Sequence, residues 1–261
     1  MQPTVLIGDV HGCLDELRQL WSLLQIKKDT RIVFLGDLID RGPDPIGVLE
    51  FVEEQITRFP HLHLLMGNHE LKTIAQYYRG ENRDSGLRER HIHLLETALP
   101  YLSFEAGKFL AVHGGLYPAF WRQYADLPPV ATRDLWDARL TQEIERFVFC
   151  RYVNQLGYPI PLGKQSPNDA FWADIYPGNF GTVFFGHQTF FEGPVRFPHA
   201  IALDQGCAFG GALTAARIDE QAQISFVTVP ARKTYSQYIH YGNAIADYAR
   251  HQLEIPHLSF A

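Results

Sequence analysis

Three glycine-flanked polar clusters, each closing a short apolar run, constrain this chain more than any other feature. Gly8-Asp9-Val10-His11-Gly12 follows Thr4–Ile7. Gly36-Asp37-Leu38-Ile39-Asp40-Arg41-Gly42 follows Arg31–Leu35, and Gly67-Asn68-His69-Glu70 follows His61–Met66. Short apolar runs bounded by Gly and Asp read as strands. From Asp9 to Asp37 is 28 residues and from Asp37 to Asn68 is 31, about one strand–helix–strand unit. Three neighbouring strands then deliver Asp, His, Asp and Asn to one crevice at the carboxyl edge of a sheet, where open α/β sheets bind their ligands.

The intervening stretches agree. Leu14, Leu17, Leu20, Trp21 and Leu24 recur at helical spacing, with Lys27 and Lys28 placed to close that helix. Pro45 opens a second helix through Val48, Leu49, Val52 and Ile56, and a third runs from about Glu70 to Tyr78. Alternation of this kind predicts a parallel sheet with right-handed crossovers. A helix over 87–98 and a hairpin of Tyr101–Glu105 with Phe109–Val112 follow, delivering His113-Gly114-Gly115. The proline-rich stretch around 116–169, helical only at Leu140–Leu156, reads as a cap-like insertion within a single 1–261 domain. Thr182–Phe185 ends at Gly186-His187, and Ile201–Leu203, Leu213–Ile218 and Ile224–Val229 read as an antiparallel second sheet. Tyr235–Leu253 is the expected closing helix.

A net charge of −6 argues against sequence-independent nucleic-acid binding. Three cysteines provide no disulfide framework and suit a reducing compartment. Asp9 interrupts the N-terminal apolar run too early for a signal peptide, and no run reaches membrane-spanning length. The expectation is a soluble cytoplasmic protein with no nucleic-acid or membrane partner.

Asp9, His11, Asp37, Asn68, His113 and His187 all stand at strand ends beside glycine. A lone Asp there is usually a cap, and a lone His before Gly is usually structural; six together make a metal set. Mixed carboxylate and imidazole ligands suit borderline divalent ions. Six ligands are too many for one open catalytic ion and fit two, bridged by the carboxylate of Asp37 on the middle strand. His69 projects into the same crevice as a general acid. Asp40 is placed to fix its tautomer and favour its protonated form. Arg41 offers a planar fork for phosphate oxygens. Metals, an arginine clamp and a positioned histidine imply phosphoester hydrolysis by metal-activated hydroxide. The other histidines, such as His61, His63, His91 and His93, lack ligand context.

The set GDVHG, GDLIDRG, GNHE, HGG and a later GH resembles the phosphoprotein phosphatase branch of the calcineurin-like metallophosphoesterases. That resemblance spans Val5 to about Arg217. It implies an α/β fold, a four-layer α-β-β-α sandwich of two mixed sheets flanked by helices. It also implies Asp9, His11 and Asp37 on one ion and Asp37, Asn68, His113 and His187 on the other, with manganese first and Fe, Zn, Co or Ni as alternatives. Asn68 would also touch substrate. A second phosphate-binding arginine is expected near Leu135-Trp136; Arg139 is taken for it, with Arg133 and Arg151 as alternatives.

The segment 202–214 looks like a tail shared by bacterial protein-phosphatase-like enzymes and symmetrical dinucleoside tetraphosphatases. Gly114-Gly115 and Glu70 lean toward the phosphatases, while Gln188 departs from their pattern. The resemblance thus puts serine/threonine phosphoprotein phosphatase-like action on phosphomonoesters first. Symmetrical diadenosine tetraphosphate hydrolysis is second, and an inactive metal-binding scaffold third. The second reading needs extra cationic and stacking groups, expected from Leu116–Asp169 with its Arg122, Arg146, Arg151, Trp121, Tyr124 and Tyr152.

Overall fold

The computed structural model describes residues 1–81, 86–124, 127 and 144–238. Alternating burial along the strands explains its layers. In β1 (Thr4–Ile7), Val5 and Ile7 face one apolar cluster and Leu6 another; in β2 (Arg31–Phe34), Ile32 and Phe34 oppose Val33. Strands buried on both faces need cover on both sides. Helices α1 (Leu14–Leu24), α2 (Pro45–Arg58), α3 (Asn68–Tyr78) and α4 (Glu89–Glu96) cover one face. Asp44 caps α2, accepting from Gly47 N at 2.7 Å ahead of Pro45 at the first helical position. α1 ends at Leu24 with Gln25 left-handed, so Lys27 and Lys28 lie past its last turn.

The first sheet runs β11 (Asp204–Gln205), β12 (Ala212–Ile218), β1, β2, β3 (Leu62–Leu64), with β13 (Ile224–Pro230) also on β12. β1, β2 and β3 are parallel, with β2 in the middle as expected. The second sheet runs β4 (Tyr101–Phe104), β5 (Phe109–Val112), β8 (Thr182–Phe185), β10 (Ala200–Ala202), β9 (Val195–Arg196). Leu6, Val33 and Leu35 from the first sheet and Phe109, Ala111 and Phe184 from the second fill the seam. The outer face of the second sheet is covered by α5 (Pro118–Gln123), a helical turn over 144–148, the hairpin β6–β7 (Tyr152–Val153, Ala170–Phe171) and Trp172. The result is the expected α-β-β-α sandwich.

Several expectations fail. Ile201–Leu203, Leu213–Ile218 and Ile224–Val229 do not form one antiparallel sheet: β10 pairs parallel with β8, whereas β12 and β13 join the first sheet. β12 is buried on both faces along most of its length, which fits a sheet interior. The helix expected over 140–156 is helical at 144–148 and gives way to β6. The Asn154 side chain accepts from Leu156 N and Tyr158 N, closing a turn a helix cannot contain. Arg133, Arg139 and most of the closing helix lie outside the described residues, and 235–238 are not helical. Among the described residues no helix is long and apolar enough to cross a membrane.

Candidate active site

Sharp turns at the strand ends bring the polar residues together. His11, Asp37, Asp40, Arg41 and His187 all hold left-handed backbones, with φ between 47° and 66°, a conformation costly outside glycine and concentrated at functional sites. The turns are cross-tied. Val10 N and His11 N both donate to the Asp37 carbonyl, at 3.1 and 2.8 Å. The buried Glu70 carboxylate accepts from Asp37 N, Leu38 N and Gly67 N at 2.7, 2.8 and 3.1 Å. Glu70 had signified only subfamily; in the fold it clamps the Asp37 turn to the start of α3.

Asp37 is the hub. Its Oδ2 lies 3.5 Å from His11 Nε2, its Oδ1 lies 3.5 Å from His113 Nε2 and accepts from His69 N at 3.0 Å. Two triads of possible ligand atoms share it: His11, Asp37 and His69, and Asp37, His113 and His187. Asn68 Oδ1 is 3.1 Å from His113 Nε2. Asp9, in neither triad, accepts from His187 N with both carboxylate oxygens, at 3.2 and 3.0 Å. A β-carbon at residue 186 would lie 2.0 Å from that carboxylate, so only glycine fits there.

These residues suit cations. His11 Nδ1 lies 3.0 Å from the Ile39 carbonyl and His113 Nδ1 2.8 Å from that of Leu35. Each ring therefore donates from Nδ1 and keeps the Nε2 lone pair for the centre of the site. Burial lowers the His11 pKa to about 4, and that of His113 also falls, keeping both neutral. Burial first, then the charge of Arg151, pushes His187 well below its usual range; its buried Nε2 has no hydrogen-bond partner among the described residues. Burial, Asp204 and Asp37 raise the pKa of Asp9 well above the carboxylate range. Buried carboxylates beside imidazoles that keep their Nε2 lone pairs form a donor set that could hold divalent ions.

His69 behaves differently. Its Nδ1 is 2.6 Å from Asp40 Oδ2 and its Nε2 is 3.3 Å from Arg41 Nη2. Burial pulls its pKa down, but the Asp40 hydrogen bond and the charge of Asp37 more than offset this, and the net shift is upward from 6.5. Arg41, His69, Asp37 and His187 line one cleft.

Arg151 lines the same cleft, donating from Nη2 to the His187 carbonyl at 3.0 Å. It was one of three candidates for the second arginine, and the preferred Arg139 falls outside the described residues. Asp204, which sequence reasoning missed, is buried in the cleft wall and accepts from Thr189 Oγ1 and Gly206 N, both at 2.8 Å. The Asp-Gln-Gly stretch read only as a subfamily mark could have flagged it.

Known proteins share this fold. A crystal structure described as that of a candidate diadenosine tetraphosphatase superposes with TM-score 0.68 at 22% identity, covering 88% of this chain and 94% of the other. A yeast (Saccharomyces cerevisiae) serine/threonine phosphatase with similarity to human PP5 superposes with TM-score 0.58 at 14% identity, covering 92% and 81%. Among curated relatives, the bis(5'-nucleosyl)-tetraphosphatase PrpE [asymmetrical] of Halalkalibacterium halodurans is 32% identical over 87% of this chain and 94% of its own. The symmetrical bis(5'-nucleosyl)-tetraphosphatase of Edwardsiella ictaluri is 30% identical over 88% and 96%. The calcineurin-like phosphoesterase family matches residues 3–194, and the chain belongs to that family of phosphoric ester hydrolases.

Proposed function

We propose that this phosphoesterase hydrolyses dinucleoside polyphosphates, using two divalent ions with manganese the first choice. Arg41 and Arg151 line one cleft with the candidate ligands, and their guanidinium groups suit phosphate oxygens, as either phosphoester reading requires. The observation that carries the dinucleotide order is that relatives aligned over most of their length are named tetraphosphatases. It reverses the preference for a phosphoprotein phosphatase drawn from Gly114-Gly115 and Glu70. Glu70 accepts three backbone bonds that hold the Asp37 turn, a role that either substrate reading would use.

In this reading Asp9, His11 and Asp37 hold one ion, and Asp37, Asn68, His113 and His187 hold the other. The ions supply Lewis acidity and activate water when bound. Arg41 and Arg151 orient the phosphates for in-line displacement. Asn68 holds a phosphate oxygen as well as its ion. His69, charged through Asp40, gives its proton to the leaving phosphate oxygen. The test compares kcat/KM for diadenosine tetraphosphate and a phosphothreonine peptide on one manganese-loaded preparation. A preference of 100-fold or more for the dinucleotide, about 2.7 kcal/mol of transition-state discrimination, is expected. Preference for the peptide would restore the phosphatase reading, and metal-loaded protein inert toward both would favour the scaffold.

A further inference from the structure

A row of aromatic side chains leads from the metal pocket to the surface. Phe209 ends a 3-10 turn, Cys207–Phe209, directly after Asp204-Gln205-Gly206. Its ring, half-buried in the cleft wall, lies 6.4 Å from that of His11, with the Arg41 guanidinium 5.0 Å from its centroid. Tyr238 meets Phe209 edge-on at 4.9 Å and hydrogen-bonds Thr189. Phe191 lies 5.2 Å beyond Tyr238 and is 43% exposed.

The loop backbone is built around this row. Gly206 holds φ +68°, and a β-carbon there would sit 2.7 Å from the rings or methyls of Phe191 and Thr189. At Gly211 a β-carbon would meet the Gln205 carbonyl first and then the Phe191 ring, at 3.0 Å. The glycines thus seat a large apolar ring on the outside of the protein, where core packing gains little from it.

We propose that Phe209, backed by Tyr238 and Phe191, is the shelf on which a nucleobase of the substrate stacks; the inference rests on the nucleotide reading above. Arg41, the proposed phosphate ligand, and His11, a proposed metal ligand, both lie against the Phe209 ring, at 5.0 and 6.4 Å, which puts the ring beside the phosphate end of the cleft. Stacking on aromatic rings holds any base, because every base has a π face, and Arg41 joins the phosphate grip to the shelf. On this proposal a stacking group comes from the Asp204–Gly211 loop and the segment after β13. Of the groups expected from Leu116–Asp169, Trp121 is buried in the core of the second sheet, Tyr124 and Tyr152 pack against that core, and Trp136 lies outside the described residues.

The test measures ADP and pyrophosphate as competitive inhibitors of diadenosine tetraphosphate hydrolysis, a pair that share a diphosphate and differ in the nucleoside, with the Phe209 variants assigning the difference to the base. Phe209→Ala should raise the ADP inhibition constant about tenfold, about 1.4 kcal/mol, and that of pyrophosphate less than twofold. Phe209→Tyr should restore ADP affinity, whereas Phe209→Leu, which keeps bulk without a π face, should not. Phe191→Ala, on the surface, should weaken ADP about threefold and guards against misfolding of the Phe209 variants. Equal weakening of both inhibitors, or wild-type behaviour of Phe209→Leu, overturns the shelf alone. No dinucleotide turnover by the metal-loaded wild type overturns the nucleotide reading and the shelf with it.

Discussion

The two sheets contribute unequally to one cleft: the first supplies its carboxylates together with His11, Asn68, His69 and Arg41, the second only imidazoles and, beside them, a guanidinium. The first sheet brings carboxylates to its strand ends: Asp9 after β1, Asp37 after β2 and Asp204 in β11. The second brings His113 after β5 and His187 after β8, with Arg151 beside them. Neither set is stable by itself, since a buried unpaired charge is expensive. They are joined across the seam by His187 N on Asp9 and by the His113 ring on the Leu35 carbonyl. The site therefore exists only when the apolar seam has closed, and seam packing is a condition of metal affinity.

The sharpest way to break this comparison is to remove one imidazole from each role. In the proposed assignment wild type binds about two divalent ions per chain. His187→Asn or His113→Asn should leave about one ion by elemental analysis, emptying the position the second sheet helps to build. His69→Asn should keep both ions yet lower kcat by roughly 10²–10⁴-fold, the usual worth of a positioned proton donor. His69 stands in one of the two possible ligand triads, so loss of an ion from His69→Asn would move it from acid to ligand. The substrate must have a poor leaving group, because p-nitrophenolate departs with little acid help.

Glu70 separates the two sheets in another way. It belongs entirely to the first and fixes the Asp37 turn through three buried N–H groups. Glu70→Ala leaves those donors without partners, at about 1–3 kcal/mol each when isolated. Because relaxation is shared, a total of about 3 kcal/mol is expected, lowering Tm by roughly 6–12 °C for a chain of this size. Calorimetry on the metal-free protein checks it; a change under 2 °C would mean that the strand ends hold the turn without it.

The parallel half of the first sheet, and the strand ends that carry His113 and His187, were far more legible in the sequence than the antiparallel return of the first sheet through β11 and β12. Asp9, Asp37 and Asn68 stand in short motifs after apolar runs, and parallel strands with local crossovers write their order directly into the chain. Asp204 and Phe209 lie beyond such a unit, on a loop whose function depends on β12 returning to pair with β1. Arginines at 133, 139 and 151 look alike in sequence, and only the fold puts Arg151 against His187. Glu70 was visible, but its three backbone bonds depend on turn geometry that composition does not encode. Left-handed φ at His11, Asp37 and His187 was equally hidden, since residue type argues against it.

The smallest effect concerns Asp40, which acts through His69. Its carboxylate is half-buried and 2.6 Å from His69 Nδ1, and the same hydrogen bond holds its own pKa low. The sign follows from the pair. The folded His69 pKa is raised above 6.5, so the protonated acid is present below that folded value and lost as pH rises through it. Asp40→Asn removes a cause of the raised value and lets burial dominate, so the alkaline limb of kcat should move to lower pH. At pH 7.5 kcat should fall about tenfold, less than for His69→Asn because the ring remains. A purely structural role for Asp40 would lower activity at all pH values alike. A pH profile of kcat on diadenosine tetraphosphate, with metal content checked at each end, separates the two, and an unmoved limb would remove Asp40 from proton delivery.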